Sequence, residues 1–266
     1  MHDYLSEHQR KCVAALELLS DICSKYHITF YLLAGSTLGA VRHGGFIPWD
    51  DDIDVGLKRD EWYQLREILQ KESLGEFTYI DDELDPTFPR LFGKILYDGK
   101  SCIDLFLIAD WTTNKRSGRW HWKIRRLSVE AYKKTLHYKN PPRPGRVQHN
   151  ELTYKNKKAL KHGLYTLCAL LFALLFGRDA MVKLARKNET SFTNRNPDAY
   201  INLYSIYSMK KEMLARDWID HTSLVTFEGK DYVTVGDTDA YLTHLYGDYM
   251  TPVAPSKQVA GHVETF

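Results

Sequence analysis

The sequence has few cysteines, no long apolar run and little net charge, and each shortage excludes a class of protein. The cysteines are scattered, with no Cys-x-x-Cys pair and no histidine at zinc spacing, and they are Cys12, Cys23, Cys102 and Cys168. This pattern predicts free, structural thiols rather than a disulfide framework or a zinc module. No run reaches the roughly 20 apolar residues that a membrane-spanning helix needs. The formal net charge is only +2 over 266 residues, so nucleic-acid binding has to be judged from local charge.

The start of the chain also lacks the apolar core of a secretion signal. Residues 1–12 are polar, which predicts a cytoplasmic protein. With 44% hydrophobic and 26% charged residues, the composition is that of a globular chain with one large or two small domains.

The most informative stretch is 33–57, which contains the carboxylates Asp50, Asp51, Asp52 and Asp54 between apolar residues. The alternation that begins at Asp52 has the period of a strand, so Asp52 and Asp54 fall on one face. Two neighbouring carboxylates repel each other unless a cation lies between them. The stretch therefore predicts a divalent-metal site. The alternatives are an acidic loop without a ligand and a calcium loop, although calcium loops prefer smaller residues between their ligands.

Hydrophobic periodicity predicts an α/β (α+β) fold, a mixed sheet flanked by helices with a basic helical insertion. The predicted helices are 4–26, 37–43, 59–71 and a helix capped by Asp237 that ends at Leu245. The predicted strands are 28–34, a strand within 46–57, and 77–80, 91–97, 102–108, 199–206, 224–227 and 232–235. Residues 1–110 are interpreted as the core of the fold, 111–198 as a basic helical segment and 199–266 as a C-terminal lobe that completes the core.

The middle of the chain is strongly basic. Between residues 115 and 161, basic residues outnumber acidic ones by 15 to two, and Pro141–Gly145 predicts a connection between helices. The following segment, Leu164–Phe176, is apolar on every helical face. It is interpreted as a buried core helix, as a helix lying on a lipid surface, or as a membrane span. No nucleic-acid motif accompanies the basic residues, so nucleic acid is not predicted as a partner.

Other residues complete the candidate site. Gly35 and Ser36, at a predicted strand-to-helix turn, can offer N–H groups and a hydroxyl to a phosphate. Asp104 is a single charge in an apolar strand and is the candidate third metal ligand, or else a surface residue of an edge strand. Arg42 and Lys94 are candidate phosphate-binding cations, with ordinary surface salt bridges as the alternative.

The sequence AGSTLGAVRHGGFIPWDDDIDV, at 34–55, resembles the signature of the LicD family, whose members have the nucleotidyltransferase fold. A second resemblance comprises Phe227-Glu228-Gly229 and the residues from Tyr241 to Thr251. The chain departs from the family at Val233-Thr234-Val235, where a proline is usual, and at 252–255, where a Pro-Pro pair is usual. Residues 115–196 match no motif of the family.

The resemblance implies transfer of phosphocholine, or of a similar phospho-alcohol, from a CDP-activated donor to a glycan such as lipopolysaccharide or teichoic acid. It implies Mg²⁺, with Mn²⁺ as the alternative, held by three catalytic carboxylates: Asp52, Asp54 and Asp104. It further implies that Gly35 and Ser36 hold donor phosphate. Candidates for the acceptor or choline end are Glu228, Asp248 and an aromatic face such as that of Trp49.

Further interpretations remain. The basic and apolar middle predicts peripheral contact with the inner face of the plasma membrane and a glycan or lipid-linked glycan acceptor. A second functional hypothesis is a glycosyltransferase that holds a nucleotide sugar and a metal. A third hypothesis is a non-catalytic membrane-surface or glycan-binding protein.

Overall fold

The structure is a computed structural model that describes residues 5–136, 152–205 and 207–254, with the backbone alone for 152–164. The helices are α1 Glu7–Lys25, α2 Ala34–His43, α3 Arg59–Leu69, α4 Lys115–Thr135, α5 Leu152–Lys187, α6 Met209–Glu212, α7 Arg216–Asp220 and α8 Thr238–Tyr246. The strands are β1 Tyr31–Leu32, β2 Ile53–Lys58, β3 Thr78–Ile80, β4 Gly93–Tyr97, β5 Lys100–Trp111, β6 Ala199–Asn202, β7 Met213–Ala215, β8 Thr222–Phe227 and β9 Lys230–Val235.

Within these ranges the strands form one nine-stranded mixed sheet, in the order β3-β4-β5-β2-β1-β9-β8. β2 runs parallel to β5 and β1 parallel to β9, whereas the other pairs are antiparallel. β4 and β6 pair with successive parts of β5, and β7 extends the sheet beyond β6. The predicted mixed sheet flanked by helices is confirmed, and the segments 1–110 and 199–266 share it.

The centre of the sheet is the parallel pair β2 and β5. Ile53, Val55 and Leu57 are fully buried, and so are Ile103 and Leu107 on β5. β5 is moreover buried at every position from Ser101 to Ala109, which is typical of a strand covered on both faces. Polar groups at this place therefore need partners, which makes the acidic residues of the two strands conspicuous.

The hairpin turns and the cap of α8 have the geometry that their local sequences favour. Asp98 and Gly99 both have positive φ, 48° and 71°, as the two-residue hairpin between β4 and β5 requires. Glu228 and Gly229 do the same between β8 and β9, with φ of 51° and 82°. Asp237 caps α8 by accepting a hydrogen bond of 3.0 Å from the backbone N–H of Ala240.

The predicted strand 28–34 is wrong at both ends, because only Tyr31–Leu32 pairs as β1 and α2 already begins at Ala34. The chain turns directly from strand to helix, so Gly35 and Ser36 lie in the first helical turn. Ala34 takes a left-handed conformation with φ of 44°, which is unusual for a residue with a side chain. Its N–H donates to the hydroxyl of Tyr241 at 2.9 Å.

Other predicted bounds also differ. The strand predicted for 199–206 ends at Asn202, and its last residue, Ile206, lies outside the described residues. So do Tyr4, at the predicted start of the first helix, and the Pro141–Gly145 connection.

The apolar segment Leu164–Phe176 lies within α5, and the prediction of a buried core helix is wrong for it. Leu174 and Leu175 are 74% and 72% exposed, whereas Ala169 and Ala173 are buried. Among the residues that the structure describes, no helix is long and apolar enough to cross a membrane. α5 also contains a break at Gly177, where φ is 72° and ψ is −179°.

A buried charge cluster fastens the last turns of α5 to the core. Arg66 on α3 donates to Asp81 at 2.7 Å, and Arg186 on α5 donates to Asp82 at 2.5 Å and to Glu189 at 3.0 Å. Burial alone would raise the pKa of Asp81, but hydrogen bonds from Arg66 and the backbone lower it to about 2. Sequence periodicity gave no sign of this cluster.

Candidate active site

A cleft of about 590 Å³ opens beside the carboxyl-rich loop before β2. Its carboxylates come from this loop, β2, β5 and α4, and are Asp50, Asp52, Asp54, Asp104 and Glu130. Its cations come from α4, β4 and the segment before β4, and are Arg90, Lys94, Arg125, Arg126 and Lys133. Aromatic rings complete the lining, among them Trp49, Phe92, Trp122, Tyr165, Tyr204, Tyr207 and Tyr246. The cleft therefore suits a ligand that carries both anionic groups and an apolar or cationic part.

Three charged residues form one row across the sheet beneath the cleft. Asp54 on β2 is the register partner of Asp104 on β5, and Asp104 is the partner of Lys94 on β4. Register partners project from the same face of a sheet. Lys94 Nζ lies 2.6 Å from Asp104 Oδ1, which also accepts a 2.7 Å hydrogen bond from Ser101 Oγ. Asp104 thus faces the cleft and is not a surface residue of an edge strand.

Gly35 and Ser36 hold Asp54 in place. The N–H of Gly35 donates to Asp54 Oδ2 at 3.1 Å, and Ser36 Oγ accepts from the N–H of Asp54 at 2.8 Å. A Cβ on Gly35 would lie 2.9 Å from Asp50 Oδ2 and 3.4 Å from Asp54 Oδ2. A side chain at this position would therefore push on the carboxylate of Asp50. That this pair also holds donor phosphate stays a prediction.

The loop before β2 concentrates negative charge. One carboxylate oxygen each of Asp50, Asp51 and Asp52 lies within 4.8 Å of the others. Burial, and then the charges of Asp52 and Asp51, raise the pKa of Asp50 well above its usual range. Such crowding is relieved by a cation, and grouped carboxylate oxygens are the donors that Mg²⁺ prefers. The donor set thus fits a divalent metal.

The predicted ligand set of Asp52, Asp54 and Asp104 lines this same cleft. Over the described ranges, it is not a group whose carboxylate oxygens all lie within 4.8 Å of one another. Its role in metal binding stays a prediction, and Asp50 joins the candidates on the geometry of the loop.

α1 positions the acidic loop, although its sequence pattern indicated packing alone. His8 Nε2 lies 2.9 Å from the carbonyl oxygens of both Asp51 and Ser101, and Gln9 Nε2 donates to the carbonyl of Asp50 at 2.9 Å. Two carbonyl acceptors require that His8 Nε2 carries a hydrogen. The ligating atoms of His8, Cys12 and Cys102 lie within 4.8 Å of one another, yet this nitrogen is already used as a donor. His8 and Gln9 therefore hold the acidic loop in place through hydrogen bonds to its carbonyl groups.

The basic lining of the cleft comes largely from α4, which sequence reasoning placed in a membrane-facing segment. Arg125 is buried, donates to the carbonyl of Leu203 and has its guanidinium 4.2 Å from the ring centroid of Trp122. Burial lowers the pKa of Arg125 to about 10, so the group stays charged at neutral pH. Arg126 lies 5.9 Å from the ring centroid of Tyr165 on α5. The excess of basic residues was visible in the sequence, but which surface these side chains line depends on how α4 packs.

Four of the predicted substrate-binding residues are not in the lining of this cleft, namely Ser36, Arg42, Glu228 and Asp248. Arg42 donates to the carbonyl of Tyr249 at 2.8 Å. Glu228 is buried and accepts from the N–H of Phe46 at 2.9 Å. Asp248 accepts from the hydroxyl of Thr251 at 2.7 Å. These hydrogen bonds tie the three side chains to the protein, and their role in substrate binding stays a prediction, whereas Trp49 and Lys94 do line the cleft.

Comparison with known proteins gives concordant matches. A family model described as LicD/FKTN/FKRP, nucleotidyltransferase domain, matches residues 27–94. The chain is 26% identical to lipopolysaccharide cholinephosphotransferase LicD of Haemophilus influenzae, over 98% of this chain and 96% of that protein. A stretch of 30 residues, 11% of this chain and 6% of the relative, is 53% identical to ribitol 5-phosphate transferase FKRP of Homo sapiens.

Proposed function

Because the chain belongs to the LicD family, we propose that it moves phosphocholine, or a similar phospho-alcohol, from a CDP-activated donor to a hydroxyl of a cell-surface glycan. Lipopolysaccharide or teichoic acid would be such an acceptor. The reaction would take place in the cytoplasm, where CDP-activated donors are made.

The observation that carries this proposal is the presence of carboxylates and cations in one cleft. A nucleoside-diphosphate donor brings a pyrophosphate, whose charges need cationic partners. Arg90, Arg126 and Lys133 line the same cleft as Asp52 and Asp54. A site for a neutral sugar alone would need neither group in this number.

Asp52 and Asp54, with Asp104 from the adjacent strand, would hold Mg²⁺, and Mn²⁺ is the alternative. The bound ion would stabilise negative charge on the phosphate oxygens during transfer. Gly35 and Ser36 fix the backbone and carboxylate of Asp54, which would keep this ligand aligned.

The chain's own residues account for the remaining chemistry. A bond forms between the acceptor oxygen and the phosphorus of phosphocholine, and the bond from that phosphorus to the bridging oxygen breaks, which releases CMP. A carboxylate of the loop would take the proton from the acceptor hydroxyl. Aromatic faces such as those of Trp49 and Tyr246 would receive a quaternary ammonium group.

A donor screen tests the proposal. The protein is incubated separately with CDP-choline, CDP-glycerol and UDP-sugars, with a glycan acceptor and Mg²⁺, and each reaction is repeated with EDTA. We expect a CDP donor to release CMP in the presence of Mg²⁺, and we expect EDTA to abolish this release. UDP release from a UDP-sugar would instead identify a glycosyltransferase, and absence of turnover with every donor would favour a non-catalytic protein.

A further inference from the structure

α5 presents a stripe of large apolar side chains to solvent. Leu167, Leu170, Leu171, Leu174 and Leu175 follow the spacing i, i+3, i+4, i+7 and i+8, and all of them are exposed. This spacing marks the face that a helix normally buries against a core. Here the small residues Ala169 and Ala173 face the core instead. An apolar face of this size on a folded protein indicates a binding surface.

The charge of the same helix indicates what this surface contacts. Residues 152–178 contain four lysines and an arginine but no acidic residue. Helices that lie in the surface of a membrane combine an apolar face with basic residues, and they favour anionic lipids. A second copy of the chain would offer an equally basic helix and would therefore repel it. Charge complementarity thus favours an anionic lipid surface over self-association.

The stripe begins at the level of the cleft but on the other side of α5. Tyr165 lines the cleft and lies two residues before Leu167, which is about 3 Å along the helix and roughly 200° around it. Arg126 on α4 lies over the ring of Tyr165 and lines the cleft as well. A surface that engages the stripe would therefore lie about one helix diameter, roughly 10 Å, from the cleft that receives substrates.

We propose that the exposed leucine stripe of α5 docks on an anionic lipid bilayer and holds the cleft against an acceptor anchored in that bilayer. The second half of this inference rests on the proposed function. The docking itself does not, so the two can fail separately.

Vesicle flotation tests the docking. The full chain is mixed with vesicles of phosphatidylcholine alone, or of phosphatidylcholine and phosphatidylglycerol in equal parts. We expect the protein to float with the anionic vesicles, and we expect high salt to weaken this binding. Leu174→Glu/Leu175→Glu should raise the lipid concentration for half-binding by about tenfold or more, because two apolar groups are replaced by charges.

Leu224→Glu provides the matched control, since Leu224 is 65% exposed on β8, away from α5, and it should float like the wild type. With a soluble glycan acceptor and no vesicles, the Leu174→Glu/Leu175→Glu variant should release CMP from CDP-choline at the wild-type rate, and its circular dichroism should match that of the wild type, which would show that its fold and cleft are intact. Failure of the wild type to float would overturn the inference, as would equal flotation of both leucine variants. A wild-type dimer that Leu174→Glu/Leu175→Glu dissociates, as measured by sedimentation, would assign the stripe to self-association and overturn it as well.

Discussion

Lys94 and Asp104 form a buried ion pair in the lining of the cleft, with Lys94 Nζ 2.6 Å from Asp104 Oδ1. They are register partners on β4 and β5, and Asp104 is also the register partner of Asp54 on β2. The pair therefore both holds β4 against β5 and sets the charge in the candidate active site. Removing either partner should lower the stability of the fold and also change the rate of transfer.

Lys94→Met should destabilise the fold by about 3–5 kcal/mol, because it leaves a buried carboxylate without this cation. Chemical denaturation of the wild type and the variant measures the difference. The double variant Lys94→Met/Asp104→Leu should regain most of the lost stability, since it buries no unbalanced charge, yet it should not regain transfer. A double variant with wild-type transfer would show that Asp104 has no part in the reaction.

Gly35→Ala should reduce transfer while leaving the helix formed. Alanine is favoured over glycine within a helix by about 1 kcal/mol, but the new Cβ would lie 2.9 Å from Asp50 Oδ2. The contact would push the Asp50 carboxylate out of its position in the cleft, so we expect a fall in kcat of about tenfold or more with little change in circular dichroism. Wild-type kcat in Gly35→Ala would mean that the close approach of Asp50 is not needed.

Glu212 should make stability depend on pH around neutrality. It is buried and accepts from the N–H of Tyr207 at 3.1 Å, and burial raises its pKa from 4.5 to about 7. The folded state thus binds this proton more tightly than the unfolded state does. The resulting stability is fully present below pH 4.5 and is lost as the pH rises through about 7.

Denaturation between about pH 5 and pH 8 should therefore show a loss of roughly 3 kcal/mol in the wild type that is absent from Glu212→Gln. Glu67→Gln, at an exposed position of α3, is the control and should behave as the wild type does. Parallel pH profiles for the wild type and Glu212→Gln would contradict the assignment.

Glu228 should prove to be a structural residue. Its carboxylate accepts from Phe46, its N–H donates to the carbonyl of Gly44 at 2.9 Å, and it lies where a Cβ on Gly45 would fall. Glu228→Ala should cost about 1–3 kcal/mol of stability, because it leaves the buried N–H of Phe46 unsatisfied, whereas Glu228→Gln keeps an acceptor. Both variants should retain the wild-type KM for acceptor below their melting temperatures, and a raised KM in Glu228→Gln would restore the predicted substrate role.

Local patterns in the sequence predicted much of the fold. Asp98-Gly99 and Asp237 act through neighbouring backbone groups, so their turn and cap were readable. The alternation around Asp52 and Asp54 likewise located the acidic strand. The start of α2 at Ala34 was not readable, because it depends on a hydrogen bond to Tyr241, far along the chain.

The site depended still more on distant contacts. The basic composition of α4 was evident, but only packing brings Arg125 and Arg126 to the cleft. His8 and Gln9 hold carbonyl groups more than 40 positions away, and no periodicity encodes such a contact. For the same reason the motif residues Glu228 and Asp248 could not be separated from the cleft-lining residues by sequence alone.

The most direct test of carboxylate-dependent transfer compares Asp54→Asn with the surface control Asp60→Asn, whose side chain is 94% exposed. CMP release from CDP-choline is followed by phosphorus NMR with Mg²⁺ and a glycan acceptor. We expect release by the wild type and Asp60→Asn, and a rate at least about 100-fold lower in a folded Asp54→Asn variant. Release at the wild-type rate by Asp54→Asn would contradict a role of this carboxylate in the transfer.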